Sequence, residues 1–152
     1  MTMESELASS VPADVVRARE LLRQEFEVWN SHDPERVLAK VTDGILWEDP
    51  SMPGGRLRGK QAVRGWLESM WRASPDMTFD PVGEPLIPAD GRRIAVSWRA
   101  TGHMTGAAYE KIGIEVLEFE GNLVRHESSF YDSAMPGRQF GVPPRQAPGQ
   151  SP

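Results

Sequence analysis

An aspartate at the end of an apolar strand is the first residue of this sequence in a setting that suits acid–base chemistry. Asp49 follows Ile45 and Trp47 on one face of a predicted strand, because side chains alternate between two faces, and Pro50 ends the strand. A carboxylate at this point either forms a turn or stands at the lip of a pocket.

Two glutamates would supply the partners that an aspartate needs in a cavity. Glu115 follows Gly113 on the predicted inner face of a later strand, where burial of a lone carboxyl raises its pKa. Glu25 lies in the apolar stripe of the first predicted helix, between Leu22 and Trp29. It either points into a cavity or reaches water at the edge of that stripe.

Three carboxyls in one apolar cavity would titrate together, because they cannot all ionise cheaply. One would stay ionised as a base while another kept its proton and donated a hydrogen bond. This division suits removal of a proton beside a carbonyl, the first step of isomerisation, dehydration and aldol cyclisation. His126, on the predicted inner face of the last strand, would assist proton transfer. The predicted walls that bind the substrate are Trp29, Trp47, Trp66, Trp98, Leu117, Phe119, Ser128 and Phe130.

The remaining residues with chemical potential do not form a further motif. The three histidines are scattered singly, which does not predict a metal site, and no serine lies in a strand-turn-helix elbow. The chain has no cysteine, which excludes disulfides, thiolate metal sites and cysteine nucleophiles. We therefore expect a reaction that needs neither a metal nor an organic cofactor.

Periodicity places these residues on helices and strands. Apolar residues at three- and four-residue steps predict helices over residues 12–30 and 59–73. Asp33, Pro34 and Glu35 are typical of a helix start and predict a short helix over 33–40. Alternation predicts strands over residues 45–49, 77–82, 84–87, 92–104, 109–119 and 123–132. Helices followed by a run of strands are typical of an α+β fold, with the helices gathered on one face of an antiparallel sheet.

The bulk properties fit one soluble domain of 152 residues. The net charge of -5 argues against nucleic acid and anionic membranes as partners. No apolar run approaches the ~20 residues that span a bilayer, and the N-terminus has no apolar signal core, so we expect a cytoplasmic protein. We expect a loose arm over residues 1–11, the domain over 12–142, and a disordered tail or a lid over 143–152.

One predicted strand, over residues 109–119, is apolar on both faces. Its outer face carries Ile112, Ile114 and Val116, and an apolar sheet face of this kind needs a cover. A second copy of the chain is the simplest candidate, so we expect a homodimer that forms through the outer face of the sheet.

This pattern resembles the nuclear transport factor 2-like superfamily over roughly residues 13–142. The segment 47–50, Trp-Glu-Asp-Pro, resembles the stretch of the steroid Δ-isomerases that carries their catalytic base. The segment 114–119 resembles the isomerase strand whose protonated acid helps to hold the oxyanion. The resemblance implies a cone-shaped α+β barrel around a pocket, with Asp49 as the base and Glu115 as the hydrogen-bond donor.

The sequence departs from the isomerases in its first helix. Glu25 stands where those enzymes have a donor tyrosine, so the resemblance does not imply a steroid isomerase. The stretches 113–117, 130–132 and 139–141 are more similar to the SnoaL-like polyketide cyclases of the same superfamily.

Three functions are compatible with the sequence. The first is a cofactor-independent isomerase or cyclase acting on a small hydrophobic carbonyl compound, polyketide-like or similar. The second is a non-catalytic binder of small molecules that uses the same cavity. The third is a dimerisation module whose cone is filled by its own side chains.

Overall fold

The computed structural model describes residues 11–132 of the chain. Within this part, three α-helices pack on one six-stranded sheet. The predicted arm, except for Val11, and the predicted tail over residues 143–152 lie outside the described residues, as does the stretch 139–141. The predicted limits of the domain therefore stay predictions.

The three helices form where the sequence predicts them, with ends that differ by a few residues. They are α1 (Ala13–Asn30), α2 (Pro34–Leu38) and α3 (Lys60–Ala73). The Asp33 side chain caps α2 by accepting a hydrogen bond from the backbone N–H of Glu35 at 2.9 Å. The start of this helix therefore follows from a capping residue and a proline in the first turn.

The six strands form an open sheet with the spatial order β2-β1-β6-β5-β4-β3. The strands are β1 (Val41–Glu48), β2 (Arg56–Arg58), β3 (Thr78–Leu86), β4 (Arg93–Met104), β5 (Ala107–Glu120) and β6 (Leu123–Tyr131). The predicted α+β class, with three helices on a sheet, is confirmed. The barrel is not closed, because β2 and β3 are edge strands.

The predicted sheet needs several corrections. The short strand β2 was not predicted, and β1 begins at Val41, four residues before the predicted strand. The sheet is mixed and not wholly antiparallel, because β1 runs parallel to β6. These strands are far apart in sequence, so no hairpin turn forces them to be antiparallel. The two predicted strands over residues 77–87 form the single strand β3, which contains Gly83 at a φ of 72° and shifts register beyond Val82.

A bulge in β6 reverses the predicted faces of its second half. Val124 pairs with Phe119, but His126 pairs with Glu118, so Arg125 is an extra residue in β6. One extra residue moves every later side chain to the opposite face. Glu127, Ser129 and Tyr131 thus point inward, whereas the sequence predicts His126, Ser128 and Phe130 on that side.

The inner face of β5 carries two different environments along its length. Leu117 and Phe119 join the hydrophobic core, together with residues of α1 and α3 such as Leu22 and Leu67. Lys111 and Glu115 lie earlier on the same face and line a cavity. The core therefore closes one end of the space between helices and sheet, and the cavity occupies the other.

Candidate active site

A cavity of about 290 Å³ lies between α1, α3 and the inner face of the sheet. Its aromatic walls are Phe26, Trp29, Trp47, Trp66, Phe79, Trp98 and Tyr131. Trp29 makes edge-on contacts with Trp47 and Trp66, at 5.4 Å and 6.2 Å between ring centroids. Such a volume is close to the lower end of the ~300–1,000 Å³ of small-molecule sites.

Four carboxyl groups line this cavity, although they come from distant parts of the chain. Glu25 belongs to α1, Asp49 follows β1, Glu115 belongs to β5 and Glu127 belongs to β6. Each of these residues is less than 9% exposed. The convergence that the sequence leaves open for Glu25, Asp49 and Glu115 is therefore present, with Glu127 as a fourth member.

Asp49 is surrounded by hydrogen-bond donors. Its Oδ1 accepts from the backbone N–H and the hydroxyl of Ser51, both at 2.7 Å, and from the hydroxyl of Tyr131 at 2.6 Å. Donors of this kind stabilise a carboxylate and hold it in one orientation. Because all three hydrogen bonds end on Oδ1, Oδ2 remains to accept a proton.

Glu115 and Glu127 have the opposite environment. Burial and the nearby charge of Glu25 raise the pKa of Glu115, and a hydrogen bond with Glu127 lowers it, so that the pKa is about 8. Burial, followed by the charges of Glu115, Glu25 and Asp49, raises the pKa of Glu127 well above its usual value. Within the described residues no donor reaches the buried Oε2 of Glu127. The pair therefore retains protons at neutral pH.

Glu25 shares this cluster but has one donor of its own. The indole N–H of Trp29 donates to Glu25 Oε1 at 3.0 Å, which lowers the carboxyl pKa. Burial has the larger and opposite effect, so the pKa of Glu25 rises to about 7. The side chain points inward and does not reach water at the edge of the helix stripe, since Glu25 is 3% exposed.

The predicted wall residues divide into three groups. Trp29, Trp47, Trp66 and Trp98 line the cavity as the sequence indicates. Leu117 and Phe119 face inward but lie in the core, beyond the cavity lining. The third group lies on the outer face because of the bulge, and it contains His126, Ser128 and Phe130.

His126 has an outer-face environment and does not line the cavity. Its Nε2 lies 3.2 Å from the hydroxyl of Ser128 and 3.5 Å from a carboxylate oxygen of Glu48. Phe130 is 59% exposed. The placement of these side chains inside the cavity is therefore wrong, and a proton-transfer role for His126 has no geometric support.

Sequence reasoning missed three ionisable residues of the cavity: Lys111, Glu127 and Tyr131. The inward position of Lys111 was predictable, because Lys111 lies four residues before Glu115 in one strand and therefore shares its face. The other two depend on the bulge at Arg125, which no glycine or proline marks in the sequence.

Two further structural observations concern metals and membranes. The described residues contain no group of three or more His, Cys, Asp or Glu side chains arranged to hold a metal ion. Residues 11–132 also include no helix that is long and apolar enough to cross a membrane.

Gly113 makes room for the indole ring of Trp98. A methyl group at Gly113 would lie 2.4 Å from that ring and 2.9 Å from the backbone oxygen of Phe130. Gly113→Ala should therefore destabilise the fold by about 1–3 kcal/mol and displace Trp98. Thermal unfolding and near-ultraviolet circular dichroism measure the two effects. Gly44→Ala is the control, because its new methyl group meets nothing within 4 Å; equal melting temperatures for both variants would contradict the packing.

The mixed sheet, three helices and inner cavity form an α+β fold of the nuclear transport factor 2-like kind. The sequence matches the SnoaL-like domain family over residues 22–127, which is more than half of the chain. The chain therefore belongs to the SnoaL-like domain family.

Solved structures agree with this fold. PrhC from Penicillium brasilianum is 20% identical, with a TM-score of 0.75 over 86% of this chain and 89% of that chain. A candidate polyketide cyclase from Xanthomonas campestris pv. campestris is 17% identical, with a TM-score of 0.74 over 84% and 98% of the two chains. A candidate isomerase from Bacillus subtilis is 20% identical, with a TM-score of 0.72 over 86% and 96%. The comparison with curated proteins returned no match.

Proposed function

We propose that the protein is a cofactor-independent isomerase or cyclase that removes a proton beside a carbonyl group of a small hydrophobic compound. One observation carries this proposal. Asp49 is a carboxylate that accepts hydrogen bonds from several donors. It lines the same apolar cavity as Glu115 and Glu127, a carboxyl pair that shares protons. When the surroundings of neighbouring carboxyls favour different protonation states, the ionised carboxyl can act as the base and the protonated one as the acid.

The proposed step uses each carboxyl in the state that its surroundings favour. Oδ2 of Asp49 takes the α-proton of the substrate, and the carbon–hydrogen electron pair moves to the carbonyl to form an enolate. The protonated carboxyl of Glu115 donates a hydrogen bond to the enolate oxygen, with Glu127 as its proton-sharing neighbour. In a conjugated dienolate, return of the proton from Asp49 to the far carbon gives an isomer. Alternatively, the enolate carbon attacks a second carbonyl of the substrate to form the ring bond, and the resulting alkoxide takes the proton.

The aromatic walls of the cavity favour a compact substrate with a largely apolar ring system. Four tryptophans surround the carboxyls, and the volume of about 290 Å³ suits a molecule of two or three fused rings. Polyketide-like compounds combine such rings with enolisable carbonyls. Among the structural neighbours, the proteins from Xanthomonas campestris and Bacillus subtilis are described as a candidate polyketide cyclase and a candidate isomerase, in keeping with this chemistry.

Deuterium exchange into 2-tetralone, a bicyclic ketone with acidic α-hydrogens, tests the proposed function. We expect the protein in D₂O to accelerate loss of the α-proton NMR signal above a blank of the same pH. Tryptophan fluorescence measures binding of the ketone in parallel. A ketone that binds without faster exchange would favour the second candidate, a non-catalytic binder, whose support is the same aromatic cavity.

We also propose that the protein forms a homodimer through the outer face of the sheet. Ile112 and Ile114 are each 48% exposed there, and Ile114 is the direct cross-strand neighbour of Phe130. Ile114→Lys should convert the dimer to a monomer in sedimentation velocity, because a charge in a dry interface has no partner. Val16→Lys, at an exposed position on α1, should leave the dimer intact. A monomeric parent protein would disprove the interface.

A further inference from the structure

Lys111 is the one basic side chain among the described residues that line the cavity. It lies on the inner face of β5, and its ammonium group sits over the ring of Tyr131, 4.6 Å from the ring centroid. A cation above an aromatic face is attracted by the ring but is not satisfied by it, because three N–H donors remain. The hydroxyl of the same tyrosine donates to Asp49, so Lys111 stands beside the proposed base.

No described residue supplies an anionic partner for Lys111. It makes no salt bridge within 4.0 Å and no hydrogen bond within residues 11–132, in contrast to Lys60, which pairs with Asp43 at 3.2 Å. The charge of Asp49 acts on Lys111 from a distance and raises its pKa, while burial has the larger effect and lowers it. A largely buried ammonium group without a partner is costly, and the cavity in front of it is open to a ligand.

The charge of Asp49 compensates for this cation only in part, because the two groups do not come within salt-bridge distance. Oδ1 of Asp49 accepts three hydrogen bonds from other residues, and Glu115 and Glu127 share protons with each other. The geometry therefore leaves a positive group without a paired anion on the same inner face of β5 as the protonated Glu115. A ligand that places an anionic oxygen at this wall would satisfy both the charge and the free N–H donors of Lys111.

We infer that Lys111 is a recognition residue for an anionic oxygen on the ligand, so that the cavity prefers aromatic compounds carrying a carboxylate or an enolate. This inference makes the proposed function more specific. It rests on that function in one respect, namely that the same cavity receives the substrate. It adds that the substrate has, besides its enolisable carbonyl, an acidic group held by Lys111. A carboxylate and an enolate would both present an anionic oxygen to Lys111, and the probes below distinguish between them.

Isothermal titration calorimetry with three bicyclic probes tests the inference without turnover. The probes are 2-naphthoate, the enolate-forming 1,3-diketone 2-acetyl-1-tetralone, and the neutral ketone 2-acetylnaphthalene. We expect at least one of the anionic probes to bind about tenfold or more tightly than the neutral ketone, as a charged hydrogen bond predicts. The anionic probe that binds better identifies the acidic group. Equal affinity for all three in the parent protein would overturn the inference.

Substitution of Lys111 tests whether this residue causes the preference for anionic probes. Lys111→Met should weaken the anionic probe about tenfold to a hundredfold and leave 2-acetylnaphthalene unchanged, whereas Lys111→Arg should retain most of the preference. Lys60→Met is the matched control, because that lysine is on α3 and pairs with Asp43 outside the cavity. Equal loss of affinity for charged and neutral probes in Lys111→Met would show a packing role and would contradict recognition.

A neutral amine at Lys111 would act differently, as a nucleophile toward carbonyls. Reductive trapping separates the two states: the amine and 2-naphthaldehyde form an iminium ion and water, and cyanoborohydride then supplies hydride to give a stable secondary amine. The chain has three lysines, Lys40, Lys60 and Lys111, so peptide mass mapping assigns the product. We expect no preference for Lys111. Selective, rapid trapping at Lys111 would overturn its role as a binding cation.

Discussion

Asp49→Asn should lower the rate of α-proton exchange in 2-tetralone by a factor of about 10²–10⁴, the usual contribution of a general base. Asparagine keeps the size of the side chain, and its Oδ1 still accepts hydrogen bonds from Ser51 and Tyr131. What it loses is a basic oxygen. The fold should therefore survive while proton removal fails, and proton NMR in D₂O measures the exchange rate directly.

Glu48 provides the matched control for this experiment. It is the neighbouring acid in the chain, but it lies on the opposite face of the sheet, where a carboxylate oxygen is 3.5 Å from His126. Glu48→Gln should leave the exchange rate within about twofold of the parent, because surface substitutions away from a site have small effects. If both variants exchange as fast as the parent protein, Asp49 is not the base.

Glu115→Gln should raise the free energy of unfolding at pH 8 by about 2 kcal/mol while it lowers the activity. The sign follows from the pKa of Glu115, which is about 8 in the fold against 4.5 for an ordinary glutamate. The unfolded chain loses this proton above pH 4.5, whereas the folded chain keeps it until about pH 8. The carboxyl therefore costs stability as pH rises through this window. Glutamine cannot ionise and therefore removes that cost. Because its amide group is itself buried, the variant gains only part of the difference in the free energy of unfolding.

Urea unfolding at two pH values measures this effect. At pH 4.5 the carboxyl is largely protonated in the fold, so Glu115→Gln should change the free energy of unfolding by much less than at pH 8. Glu120→Gln, an exposed position at the end of the same strand, should have a small effect at both values. A parent protein whose stability rises from pH 5 to pH 8, or a variant with no gain at pH 8, would contradict a buried protonated carboxyl.

The inner face of β5 and the end of β1 were predictable because regular strands alternate strictly. Ile45, Trp47 and Asp49 share the inner face, and so do Glu115 and Leu117, as a period of two requires. The helices were predictable for a similar reason, since their buried stripes repeat at three and four residues. Where the backbone is regular, local sequence is sufficient to orient a side chain.

The last strand was not predictable in the same way, because its face depends on one irregular residue. The bulge at Arg125 exchanges His126 for Glu127 and Phe130 for Tyr131 on the inner face. A bulge is set by how β6 fits both of its neighbours, and β1 also shifts register against it before Leu46. That fit is a tertiary property. The partner of Asp49, 82 residues away in the chain, therefore appears only in the fold.

A ¹³C NMR titration of the glutamate side-chain carboxyls measures the proposed division of protons in the cavity most directly. Glutamine variants at positions 25, 115 and 127 assign the signals. We expect the Glu25 carboxyl to titrate near pH 7, Glu115 near pH 8, and Glu127 well above an ordinary glutamate. Titration of all three below pH 5, together with the exposed glutamates, would contradict a protonated donor beside Asp49.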